Sequence, residues 1–122
     1  MGQHPSTDGV NRRRATTEFL IEIEIKLPHT VANELRERLI AAEGIRGREL
    51  ADQGVIRAIW RTPGRFANCG IWSAPDATTL HTAIASLPLF QFLDVHVTPL
   101  ARHDLSQHCP SFAPGLIIDD LK

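Results

Sequence analysis

Residues 19–27, Phe-Leu-Ile-Glu-Ile-Glu-Ile-Lys-Leu, constrain the fold more than any other stretch of the chain. Phe19, Ile21, Ile23, Ile25 and Leu27 alternate with Leu20, Glu22, Glu24 and Lys26. Successive side chains of an extended chain point to opposite faces, so one face here is continuously apolar and the other largely charged. The stretch is therefore a half-buried strand, ended by Pro28. It needs neighbours for its backbone N–H and C=O groups, and it needs a cover for its apolar face.

The cover follows directly in the sequence. From Thr30 to about Gln53 the apolar residues Val31, Leu35, Leu39, Ala42 and Leu50 recur near a 3.6-residue spacing among Glu, Arg and Asn, which predicts an amphipathic helix. Gly44 and Gly47 weaken its middle by roughly 1 kcal/mol each relative to alanine, so a kink or a close backbone approach is expected there. Gly54 supplies the stop. Val55–Trp60 and Phe66–Trp72 read as strands joined by the turn Thr62-Pro63-Gly64-Arg65, a hairpin. A second helix begins at the N-cap candidate Asp76, with Leu80, Ile84 and Leu87 as its apolar stripe, and a fourth strand spans Phe92–Leu100. The order β-α-β-β-α-β predicts an α+β, ferredoxin-like fold: a four-stranded antiparallel sheet with two helices on one face. Its other face carries Glu22 and Glu24 beside Leu20, and a sheet half apolar on that side favours association with other chains.

At 122 residues this is one domain by length. Residues 1–16 are polar and without period and read as an N-terminal arm; 17–104 form the folded domain; 105–122 are a polar tail that ends in the apolar run Leu116-Ile117-Ile118, which could dock on a neighbouring subunit. Arg12-Arg13-Arg14 in the arm reads as solvated. A formal charge of −1 gives no reason to expect nucleic acid as a partner, and no apolar run reaches the ~18 residues of a membrane span. Cys69 and Cys109 make neither a disulfide framework nor a metal spacing, and the six histidines are scattered, so no metal site is expected. A cytoplasmic protein is the expectation.

Without a phosphate loop, nucleophile elbow or metal motif, the chemistry left to the chain is proton transfer by carboxylates oriented by arginines. Glu43 lies between Ala42 and Gly44 at the edge of the helix stripe, where partial burial raises a carboxyl toward the working range of a general base; an exposed glutamate on the helix flank is the plainer reading. Arg57 and Arg61 are four apart and in a regular strand share a face, placed to hold a carboxylate bidentately or simply to solubilise the hairpin. Asn68 lies inside a strand, where asparagine is disfavoured and its amide needs partners.

The segment from Ile56 to His103 resembles the muconolactone Δ-isomerase family. The similarity lies in the Trp60-Arg61 … Gly64 … Phe66-Ala67-Asn68 run, Leu80-His81, Leu87-Pro88-Leu89-Phe90, Leu93-Asp94 and Arg102-His103, with Lys26-Leu27-Pro28 ending the first strand. It extends over residues 19 to about 104. The resemblance implies a cofactor-free enzyme in aromatic breakdown that converts muconolactone to 3-oxoadipate enol-lactone, assembled as a large homo-oligomer, a decamer in the best-known members. It places the family's helix glutamate on Glu43 and its strand asparagine on Asn68 as catalytic groups. Arg57, Arg61, Trp60 and Phe66 fall on its substrate-binding positions. Three departures imply a reshaped pocket: Phe66 stands at a tyrosine position, Cys69 and Gly70 replace larger, more polar residues, and Gly44 replaces a charged one. The readings that compete are a dehalogenase of chlorinated muconolactones and a non-catalytic binding member of the same fold.

Overall fold

The computed structural model describes residues 16–110. The expectations for the arm and for the 116–118 run lie outside the described residues. Strand β1 (Thr17–Ile25) is followed by helix α1 (Asn33–Asp52), strands β2 (Ile56–Arg61) and β3 (Ala67–Ala74), helix α2 (Ala77–Ala85) and strand β4 (Leu93–Leu100). Short 3-10 turns cover Phe90–Phe92 and Ser106–His108. The strands form one antiparallel sheet in the order β2-β3-β1-β4. This is the ferredoxin-like α+β architecture expected from the element order.

The alternation in β1 dictates the two faces. Phe19, Ile21 and Ile23 are buried and build the core with Trp72 from β3, Leu50 from α1, and Leu80, Ile84 and Leu87 from α2 and its exit. Glu18 and Glu22 point away from it and are exposed. Asp76 caps α2 as its side chain predicts, accepting the Thr79 N–H at 2.7 Å. Gly54 (φ 81°) and Gly64 (φ 76°) occupy the left-handed region, one just past α1 and one in the hairpin turn, where only glycine is free of strain.

Two expectations need correction. The α1 stripe is not buried along its length: Leu50 is the one buried residue of the helix, and Leu35 is 44% exposed. The helix leans on the sheet through its C-terminal half, and its first turns stand clear of it. Nor is α1 interrupted at its glycines, and neither makes a close approach. It runs unbroken, and a Cβ at Gly47 would meet no atom within 4 Å.

The close approach occurs instead at Gly70. The β2–β3 ladder carries a bulge between Ile56 and Ala58, where two residues of β2 face one of β3. The bulge brings the Ala58 carbonyl against Gly70, so that a Cβ there would collide with it. A glycine inside a strand is the sequence mark of such a bulge.

Candidate active site

Cross-strand partners share a face, so the register sorts the hairpin residues. Asn68 is opposite Ile23 on one side and Arg61 on the other, and Ile23 is opposite Val95. Arg61, Asn68, Ile23 and Val95 thus form one row on the helix-covered face. Trp60 is opposite Cys69, which is opposite Glu22, so Trp60 lies on the open face. The bulge resets the alternation in β2: Ile56 and Arg61, five apart, are both in register with helix-facing residues of β3. The shared face expected for Arg57 and Arg61 is therefore lost. Arg57 sits in the bulge, four residues or about 13 Å along the strand from Arg61. Phe66 is 45% exposed at the mouth of the hairpin, and its carbonyl accepts the Ile25 N–H at 3.0 Å.

Glu43 lies on α1. It is half-buried, and one carboxylate oxygen accepts the backbone N–H of Leu89 at 2.9 Å. Leu89 is fully buried in the connection between α2 and β4, which delivers Leu93 opposite Ile25, one row beyond Val95–Ile23–Asn68–Arg61. Three residues along α1, Arg46 donates to Ser86 Oγ at 2.9 Å and pairs with Glu49 at 2.9 Å. Positions i and i+3 share a helix face, so two tethers fix α1 against the exit of α2. Burial pushes the Glu43 carboxyl above its ordinary value, and the Leu89 N–H opposes that by favouring the ionised form. Glu43 makes no ion pair among the described residues, and its second oxygen makes no hydrogen bond among them.

Asn68 has the complementary property. Its side-chain oxygen is buried and finds no hydrogen-bond partner among the described residues, a condition that costs about 1–3 kcal/mol when left unmet. Arg61 likewise makes no ion pair among the described residues, whereas Arg65 is engaged with Glu24 at 2.7 Å. Asn68 and Arg61 thus share one row of the sheet, Glu43 is joined to the α2–β4 connection through Leu89, and Trp60 and Arg57 lie apart from that row. A cavity of about 210 Å³ beside the hairpin is lined by Glu22, Glu24, Arg65, Asn68, Asp94 and His96, among others. Neither Glu43 nor Phe66 lines it. The Leu89 N–H escaped the sequence reading because a backbone donor has no residue type; the Leu-Pro-Leu-Phe run was its nearest signal. Among the described residues no cluster of His, Cys, Asp or Glu is suited to a metal, and no helix is long and apolar enough to cross a membrane.

The described residues form a ferredoxin-like α+β domain that carries a half-buried carboxylate, without an ion-pair partner among those residues, on its first helix. Residues 17–106 match the muconolactone delta-isomerase family. The chain is 36% identical over 90 residues to Muconolactone Delta-isomerase 2 of Acinetobacter lwoffii, covering 74% of this chain and 94% of that one. It is 33% identical to the Muconolactone Delta-isomerase of Pseudomonas aeruginosa over the same shares. A crystal structure of muconolactone isomerase at 3.3 Å superposes with a TM-score of 0.71 at 30% identity, covering 78% of this chain and 99% of that one. The chain belongs to the muconolactone delta-isomerase family, a family of isomerases.

Proposed function

We propose that the protein shifts the double bond of an unsaturated lactone carboxylate, converting muconolactone to 3-oxoadipate enol-lactone or acting on a substituted relative, with Glu43 carrying the proton. The observation that supports this reading is the state of Glu43: half-buried, raised by desolvation, and held by a backbone N–H with one oxygen free. The reaction removes a proton from C4 of the lactone, passes through a dienolate, and returns a proton at C2. Electrons move from the broken C–H bond into the conjugated system and back, so no redox partner is required. One carboxylate poised between the two carbons performs both transfers, an action worth about 10²–10⁴-fold.

The dienolate needs a donor at the lactone oxygen. Asn68, which lies in one row with Arg61, supplies its amide N–H. Arg61, on the same face and without an ion pair among the described residues, holds the carboxymethyl arm of the substrate and so orients the ring. Phe66 contributes an apolar edge without a hydroxyl. Copies of the chain associate through the open face, where the 40%-exposed Trp60 and Leu20 interrupt the charges.

The decisive experiment follows muconolactone absorbance with the purified protein and with Glu43→Gln. The parent is expected to turn over, with an acid limb in kcat/KM above the ordinary carboxylate range. The variant should lose at least a hundredfold while keeping its circular dichroism. No turnover of muconolactone by the parent removes that substrate, and equal turnover by the variant removes Glu43 from the role.

A further inference from the structure

The connection between α2 and β4 does more than link two elements. Leu89 is wholly buried, and its N–H is spent on a carboxylate 46 positions earlier in the chain, not on the backbone of the connection. The turn around it is held independently: Phe90 N–H donates to the Leu87 carbonyl at 2.9 Å, and Phe92 N–H donates to the Leu89 carbonyl at 2.7 Å. Ser86, at the start of the same connection, takes the Arg46 side chain. The segment is thus fixed by its own hydrogen bonds and by Leu89 in the core. It presents one N–H outward to Glu43.

We propose that Leu89 is a positioning residue for the isomerisation, its backbone N–H anchoring one oxygen of Glu43 as a pivot while the other oxygen moves the proton. This deepens the reading of Glu43 as the base and rests on it. A carboxylate that must take a proton at one carbon and deliver it at another gains from having one oxygen fixed. Both reacting carbons then lie within the short swing of the other, and the long glutamate side chain does not search its rotamers between the two transfers. A backbone N–H serves better here than a lysine or arginine. It holds the group by a hydrogen bond without a full positive charge, which would favour the ionised carboxylate strongly enough to blunt it as a base. The groups around Glu43 agree with this choice. Arg46, three residues on along α1, is turned to Ser86 and Glu49, so the half-buried carboxylate has the Leu89 N–H as its hydrogen-bond partner and no ion pair among the described residues.

The test replaces single backbone N–H groups by ester oxygens in the full-length chain, leaving every side chain in place. An ester at position 89 deletes the tether. An ester at position 92 deletes the neighbouring N–H that holds the turn but does not touch Glu43. Muconolactone turnover is then measured across pH for both, alongside Glu43→Gln. With the tether gone, the protonated carboxyl is favoured, so the acid limb of kcat/KM should move to higher pH and the plateau should fall roughly tenfold. The ester at 92 should lower thermal stability and leave the limb where it is. A limb unmoved by the ester at 89, or moved equally by both esters, overturns the positioning role. Full activity in Glu43→Gln overturns the underlying assignment instead, so the two failures are told apart.

Discussion

The two sides of the sheet treat the same functional group in opposite ways. On the open face, Glu24 and Asp94 are directly opposite across β1 and β4, an arrangement of like charges that is unfavourable by itself. Each has its own cation: Arg65 reaches Glu24 at 2.7 Å and Lys26 reaches Asp94 at 3.4 Å. On the helix side, Glu43 has no cation and is held by one amide in partial burial. Exposed ion pairs of this kind offset the like-charge contact and keep the open face polar. A half-buried carboxylate tethered by a neutral donor is raised from its ordinary value by desolvation, the direction that suits a general base.

The contrast breaks most visibly at Asn68. Asn68→Ala should reduce kcat about 10²–10³-fold on muconolactone, the cost of losing one donor to a developing oxyanion. It should not reduce stability in the urea transition, because the amide oxygen it removes is already buried without a partner among the described residues. Glu24→Gln on the open face should keep turnover within about twofold, since an exposed ion pair contributes little. A large loss of turnover in Glu24→Gln, with Asn68→Ala unaffected, would place the reaction at the open-face carboxylates and remove Asn68 from it.

The next effect is on folding, and it separates two glycines that look alike in the sequence. Gly70→Ala forces a methyl against the Ala58 carbonyl at the bulge and should cost about 1–3 kcal/mol, read as a lower urea midpoint. Gly47→Ala, in the middle of α1 with open space around it, should raise the midpoint by about 0.5–1 kcal/mol through helix propensity. If both substitutions destabilise equally, the bulge is not what holds position 70.

This pair also marks what the sequence could tell. The period of β1, the Asp76 cap and the Gly54 stop are local signals, written by residue type and spacing, and they carry the element order and hence the fold. The bulge at Ile56–Ala58 is a relation between two strands, so it was visible only through Gly70. That is why Arg57 and Arg61 read as sharing a face and do not. The exposed first turns of α1 have the same origin. Periodicity says which residues of a helix lie in line, whereas the length of sheet beneath them decides how many are covered. At the candidate site, Glu43 and Asn68 stood out in the sequence because a carboxylate among small residues and an amide inside a strand are locally odd. The Leu89 N–H was not, because no side chain announces a backbone donor, and its pairing spans 46 positions.

The smallest effect is the pH dependence of stability, and its sign tests whether burial or the amide governs Glu43. Burial raises the folded carboxyl above its ordinary 4.5, so the folded state holds this proton more tightly than the unfolded chain does. The resulting stability is fully present below the unfolded value and is lost as pH rises through the folded one. Glutamine at position 43 does not titrate. The stability of Glu43→Gln minus that of the parent should therefore increase across that window and level off above it, and the other carboxylates cancel in the difference. Urea midpoints for both proteins from pH 4 to pH 8 provide the measurement. The change is kept small by the half-exposure of the group and by the opposing Leu89 N–H. A difference that falls with rising pH would mean that the hydrogen bond outweighs desolvation. The contrast between the two sides of the sheet would then fail at the residue that matters most to it.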